Sequence, residues 1–176
     1  QKARFINTTI MVSLLGAACS DGLDNGRKIS GVGGQYNFVA MAHALEGARS
    51  ILMCRSTRTK GDNVSSNIVW NYGHTTIPAH LRDMVITEYG IAMLRGQREK
   101  DVIARLLNIA DSRFQEQLLQ QAKAAGCGAA CWSRRSHLQV IAHQFKTNTA
   151  APVQAQLLPH HLGNRHLPFA GHGATA

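Results

Sequence analysis

Between residues 5 and 55 the order of patterns commits this chain to alternating strand and helix. Residues 5–15, FINTTIMVSLL, are β-branched and apolar and stop at Gly16, which reads as one buried strand. SDGLDNG, residues 20–26, carries two glycine turn signals, and residues 27–30 read as a short return strand. The loop SGVGGQ follows, Ser30 to Gln35. Asn37 is then the expected cap of a helix carrying Phe38, Val39, Met41, Ala42 and Leu45, with an exit near Gly47. RSILMCR, residues 49–55, reads as a core strand. Loop, helix and strand make one α/β unit, with the glycines at a helix N-terminus. Backbone N–H groups there are oriented to receive an anion or a polarised carbonyl.

STRTKGDN, residues 56–63, reads as a polar loop with Lys60 near its tip, and SSNIVW, residues 65–70, as a strand. MVIT, residues 84–87, is another short β-rich run, ending at Glu88, Tyr89 and Gly90. From Glu99 a helical pattern sets Val102, Ile103, Leu106, Leu107 and Ile109 along one face. Asp111 or Ser112 can cap a second helix bearing Phe114, Leu118 and Leu119, which ends at Gly126. Periodicity fades from Cys127. The expected organisation is an α/β domain over residues 1–126 and a low-charge, His-rich tail over 127–176.

The net charge of +9 invites a nucleic-acid reading, which its distribution argues against. All 10 acidic residues lie at or before Glu116, so the excess comes partly from a tail without acids. It does not come from a Lys/Arg stripe interleaved with aromatics, and neither nucleic acid nor membrane is expected as a partner. No run of 18 apolar residues is present to span a bilayer. The chain opens QKARF, without methionine or a signal-peptide pattern, as expected of an excerpt from a longer protein. Cys19, Cys54, Cys127 and Cys131 are too few and scattered for a disulfide framework, and a reducing cytoplasm is the expected setting.

FINTT, SGVGGQYNF, SSNIVWNYGH, VITEYGIAMLRG and LLNIADSRFQEQL, in this order, resemble the C-terminal domain of the acetyl-CoA hydrolase/CoA-transferase family. The resemblance covers about two thirds of the chain, residues 5–120. It implies an α/β fold of the CoA-transferase type, an open sheet flanked by helices, here as an incomplete domain with an irregular C-terminal tail. It implies coenzyme A or acetyl-CoA as substrate, no metal, and as partners an acyl-CoA, a small carboxylate, and an N-terminal half or further copies of the chain. The family's chemistry runs through a glutamate that attacks the thioester, forming an acyl-glutamyl anhydride and then a glutamyl-CoA thioester.

By the same resemblance Gly31, Gly33, Gly34 and Gln35 lie against CoA, which fits glycine's tolerance of close approach. Ser30 precedes the loop, and Lys60 stands where related enzymes can place a CoA-contacting lysine; a solvated loop lysine is the equal alternative. The family's nucleophile sits in a His-Ser/Thr-Glu stretch, and none occurs in this chain. Glu88, in TEYG, is expected to be a structural carboxylate. No catalytic residue is therefore assigned, and the chain alone is expected to be inactive. Whether water or a carboxylate is the acceptor stays open.

Other constellations carry less. Cys127, Cys131, His137 and His143 are spaced C-x3-C-x5-H-x5-H. A classical finger needs about a dozen residues between its Cys and His pairs. His43, His74 and His80 read as structural, and Trp70 and Tyr72 as packing residues rather than an adenine platform. The tail fits either a shifted reading frame near Gly126 or a genuine disordered extension. The rival function is a non-enzymatic truncated module that binds CoA or a partner chain. If a further half packs against this one, the chain should expose an apolar face.

Overall fold

The computed structural model describes residues 2–127. The elements run β1 (Arg4–Thr8), β2 (Met11–Ser13), β3 (Ala18–Cys19), α1 (Gln35–Ala44), β4 (Arg49–Met53), β5 (Thr57–Lys60), β6 (Asn63–Ser66), β7 (Ile68–Val69), β8 (Met84–Thr87), β9 (Gly90–Met93), α2 (Glu99–Asn108) and α3 (Ser112–Ala124). A 3-10 turn at Ala79–Leu81 leads into β8.

The main sheet has the order β1-β4-β8-β9. β1, β4 and β8 are parallel, and β9 turns back antiparallel on β8. A second sheet, β3-β2-β7, and the β5-β6 hairpin complete the strands. α1 crosses from the carboxyl end of β1 to the amino end of β4, so the glycine loop opens at the carboxyl edge of the sheet. An α/β fold with an open sheet and flanking helices is what the sequence implied.

Several local expectations are corrected. FINTTIMVSLL is two strands, because the chain changes sheets at Thr9. The Thr9 N–H donates to Met53 O at 2.9 Å in the main sheet, while its hydroxyl donates to Cys19 O at 2.8 Å in the second. Residues 27–30 form no strand beyond an isolated Gly22–Lys28 bridge, since the Ile29 and Ser30 N–H groups both turn to Asp21 O. Asn37 does not cap α1; Gly34 occupies that position without a side-chain bond, and Asn37 lies inside the helix. Residues 56–63 are not a loop: they hold β5 and the turn of the β5-β6 hairpin, with Gly61 at φ +58. SSNIVW breaks at Asn67, whose side chain donates to Arg55 O at 2.9 Å. The return strand β9 was not anticipated.

α2 and α3 follow the sequence closely. Val102, Ile103, Leu106 and Leu107 are buried on α2, and Leu118, Leu119 and Ala122 on α3. With Leu52, Val85 and Ala92 from the main sheet, Val39 and Ala42 from α1, and Val12, Leu14, Ile68 and Ile77 around the second sheet, they form one core. Each fully buried Leu, Ile or Val contributes about 1.5–3 kcal/mol. Among the described residues no helix is long and apolar enough to cross a membrane.

Candidate functional site

In parallel sheets with crossover helices, ligands gather where the strands end at their carboxyl termini. Here that edge receives Asn7 and Thr8 from β1, Cys54 to Ser56 after β4, Thr87 from β8 and Glu88 just after it. The glycine loop joins them through Gln35, whose Nε2 donates to Thr8 O at 3.0 Å. Four of the six expected site residues, Gly31, Gly33, Gly34 and Gln35, therefore sit together at this edge.

Ser30 through Gly34 are solvent-exposed. Gly33 has φ +58, a left-handed conformation that glycine holds without penalty. Gly31 has no such φ, and an added Cβ there would meet nothing within 4 Å. At Gly34 a Cβ would come within 3.0 Å of Phe38 Cε2, a contact that a small ring movement relieves. Because α1 has no side-chain N-cap, its first N–H groups are left for water or a ligand. Nearby on β1, the Asn7 Nδ2 is buried without a hydrogen-bond partner. Sequence reasoning missed Asn7, although an amide inside FINTT, between β-formers, is a legible oddity.

The root of the loop is fastened by Asp21, whose side chain is 3% exposed. It accepts from Lys28 Nζ at 2.6 Å and from the Thr76 hydroxyl, and lies 3.0 Å from His74 Nε2. These contacts, that of Lys28 foremost, hold the Asp21 carboxyl well below the usual carboxylate range. Its backbone oxygen accepts from Ile29 N, and the Ser30 hydroxyl donates to Ser20 O at 3.2 Å. Ser30, itself exposed, is thus tied to the root of the loop. Cys19, Asp21 and His74 place donor atoms within 4.8 Å of one another, a set that can hold a metal ion. Lys28 Nζ, also 2.9 Å from His74 Nε2, already supplies positive charge there.

Lys60 ends β5 at the tip of the hairpin, exposed, and makes no hydrogen bond or ion pair to the glycine loop. Glu88 is tied to the backbone: its Oε2 accepts from Ser56 N at 2.9 Å. The Ser56 hydroxyl accepts from Asp111 N at 2.7 Å, and Tyr89 Oη donates to Asp111 Oδ2 at 2.7 Å. This network joins the ends of β4 and β8 to the cap of α3, where Asp111 also grips Arg113 through two 2.9 Å bonds. The hydrogen bond to Asp111 raises the Tyr89 phenol to about 12. Burial, with Glu88 adding, pushes the Cys54 thiol to about 12, so Cys54 is unsuited to act as a thiolate nucleophile at neutral pH.

At the opposite, amino edge, a cleft of about 560 Å³ is lined by His43, His80, Arg82, Arg95 and Gln97. Its arginines are committed to carbonyls: Arg82 donates to Leu15 O and Gln97 O, Arg95 to Ala48 O and His43 O. His43 Nε2 donates to Leu81 O at 2.8 Å, a structural role, and Trp70 packs against the core. Cys131, His137 and His143 of the zinc-like spacing, and the tail itself, lie outside the described residues.

The acetyl-CoA hydrolase/transferase C-terminal domain family matches residues 1–122. The 4-hydroxybutyrate coenzyme A transferase of Clostridium kluyveri is 34% identical over 119 residues, 67% of this chain and 28% of that protein. The succinyl-CoA:cyclohexane-1-carboxylate CoA transferase of Geobacter metallireducens is 34% identical over 121 residues, 67% of this chain and 27% of its own length. The crystal structure of RipA from Yersinia pestis superposes with a TM-score of 0.63 at 33% identity, covering 70% of this chain and 28% of RipA. A 4-hydroxybutyrate CoA-transferase from Porphyromonas gingivalis gives 0.53 at 28% identity, covering 69% of this chain and 26% of that one. The chain thus spans less than a third of the length of these relatives.

Proposed function

Because this chain belongs to the acetyl-CoA hydrolase/transferase family through its C-terminal domain, we propose that its carboxyl edge is the CoA-facing part of an acyl-CoA:carboxylate CoA-transferase or acetyl-CoA hydrolase. The observation that carries this reading is Gly31: among the described residues neither backbone conformation nor packing calls for glycine there. A ligand passing close to the backbone does.

In this reading the backbone of Gly31, Gly33 and Gly34 and the uncapped first turn of α1 face the thioester end of CoA. Gln35 holds that turn on β1, and Ser30 and Asp21 hold the loop's root. The Asn7 Nδ2 offers a donor to a ligand oxygen. Lys60 serves a CoA phosphate as a point charge. The attacking glutamate comes from outside these residues: it displaces CoA thiolate from the thioester to form an acyl-glutamyl anhydride, the thiolate attacks the glutamyl carbonyl to form glutamyl-CoA and releases the acyl group as its carboxylate, and the glutamyl-CoA then gives up CoA to the acceptor. Relatives named as CoA-transferases support a carboxylate as that acceptor.

The test is calorimetric titration of CoA into the purified chain and its Gly34→Val variant, with an acetyl-CoA cleavage assay alongside. Saturable binding, lost in the variant, with no cleavage by the chain alone, is expected. Binding unchanged by Gly34→Val contradicts the reading. The alternative, a non-enzymatic module using the same edge, differs in that no added polypeptide restores cleavage.

A further inference from the structure

The main sheet has two faces, and the helices cover one. α1 packs against β1 and β4, α2 against β9, and α3 against α2. On that side Leu52, Val85 and Ala92 are buried, and Phe5 stacks on Phe38 with ring centroids 5.9 Å apart.

The alternate residues point the other way. The strand register aligns them in two rows across all four strands, Ile6–Ile51–Met84–Met93 and Thr8–Met53–Ile86–Ile91. Seven of these eight side chains are isoleucine or methionine. Ile6 is 59% exposed, Ile91 61%, Met53 40% and Met93 37%. A polar pair, Arg4 and Arg49, bounds the rows at the amino end of the sheet.

An antiparallel sheet with one wet face alternates apolar and polar residues; parallel strands buried on both faces do not. β4 reads RSILM and β8 reads MVIT, apolar on both sides. The face is therefore built to be covered, and among the described residues no helix covers it.

We infer that this Ile/Met face is a docking surface for α-helices of a separate polypeptide region, the part that the relatives have and this chain does not match. This deepens the proposed function, on which it rests, by naming the surface that receives the rest of the enzyme. The relatives leave ample chain for the role, since the match covers only 28% of the C. kluyveri protein. Geometry favours helices over a second sheet: four strands at about 4.8 Å spacing make a strip close to 19 Å wide, which seats two helices of about 10 Å diameter side by side. Parallel sheets with crossover helices are covered by helices on both faces.

The experiment co-expresses the tagged 176-residue chain with the unmatched part of the C. kluyveri transferase and measures co-purification and hydrogen exchange across β1, β4, β8 and β9 without CoA. A stoichiometric complex that slows exchange in these strands is expected. Ile91→Glu and Ile6→Glu should each weaken it by roughly tenfold or more, because a carboxylate would be buried without a partner. Circular dichroism and core exchange of each variant alone should match the parent chain. Gly31→Val should leave the complex intact, so failure of CoA binding and failure of docking are read separately. No complex, or one indifferent to both Glu variants, overturns the inference. So does a homodimer of the chain that either Glu variant dissociates, which would make a second copy the occupant, or strand protection in the chain alone that is lost on cutting away residues 128–176.

Discussion

Gln35 Nε2 donates to the backbone oxygen of Thr8 at 3.0 Å, fixing the first turn of α1 to the carboxyl end of β1. Twenty-six residues, with β2 and β3 of the second sheet among them, intervene between them in sequence, so this bond sets where the glycine loop opens.

Gln35→Ala leaves a Thr8 oxygen unpaired and should cost about 1 kcal/mol in urea unfolding. Gln35→Glu, which at neutral pH presents an acceptor to an acceptor, should cost more, about 1–3 kcal/mol. Both should weaken CoA binding more than an exposed-surface substitution of equal stability cost, as titration calorimetry of the series can show.

Gly31 and Gly33 separate conformation from ligand approach. Gly33→Ala forces an L-residue to φ +58 and should destabilise by roughly 1 kcal/mol. Gly31→Ala meets open space and should leave the urea midpoint unchanged, yet weaken CoA binding. Equal affinities for Gly31→Ala and the parent chain would remove the ligand from that side of the loop.

Asn7 bears a buried amide nitrogen without an acceptor. Replacing an unsatisfied donor by a β-former of similar size removes a desolvation penalty of about 1–3 kcal/mol. Asn7→Val should therefore match or exceed the parent in thermal stability while binding CoA less tightly. A clear loss of stability would show that the amide is structural.

Asp111 sets an acid limit. Arg113 foremost, with Tyr89 assisting against burial, holds its carboxyl well below the usual range. Its contribution is complete above the unfolded carboxylate pKa of about 4 and is lost as pH falls toward the depressed folded value, where the unfolded state binds more protons. Urea unfolding from pH 6 to pH 2 should show stability falling most steeply below about pH 4. Asp111→Asn keeps an N-cap acceptor but removes the charge, so its profile should be shallower.

Legibility in the sequence followed the range of the interactions. α2 and α3 were readable because Val102, Leu106 and Leu118 repeat at helical spacing and Asp111 is a strong cap. The strands Arg49–Met53 and Met84–Thr87 were readable as short apolar runs. The change of sheet at Thr9 was not, because it depends on Met53 and Cys19, distant in sequence. Asn37 looked like a cap, but Gln35 takes a bond to β1 and the helix begins earlier. The glycine loop was legible as a loop before a helix through Gly31, Gly33 and Gly34. Its support by Asp21, Lys28, His74 and Thr76, and the Glu88–Ser56–Asp111 network, arise only when separate segments meet.

The most direct measurement of the central claim is an amide chemical-shift map of the full chain titrated with CoA. The account predicts saturating shifts at residues 30–36 and at Asn7, Ser56 and Glu88, along the carboxyl edge. Shifts centred instead on His43, His80, Arg82 and Arg95, at the opposite edge, would contradict it.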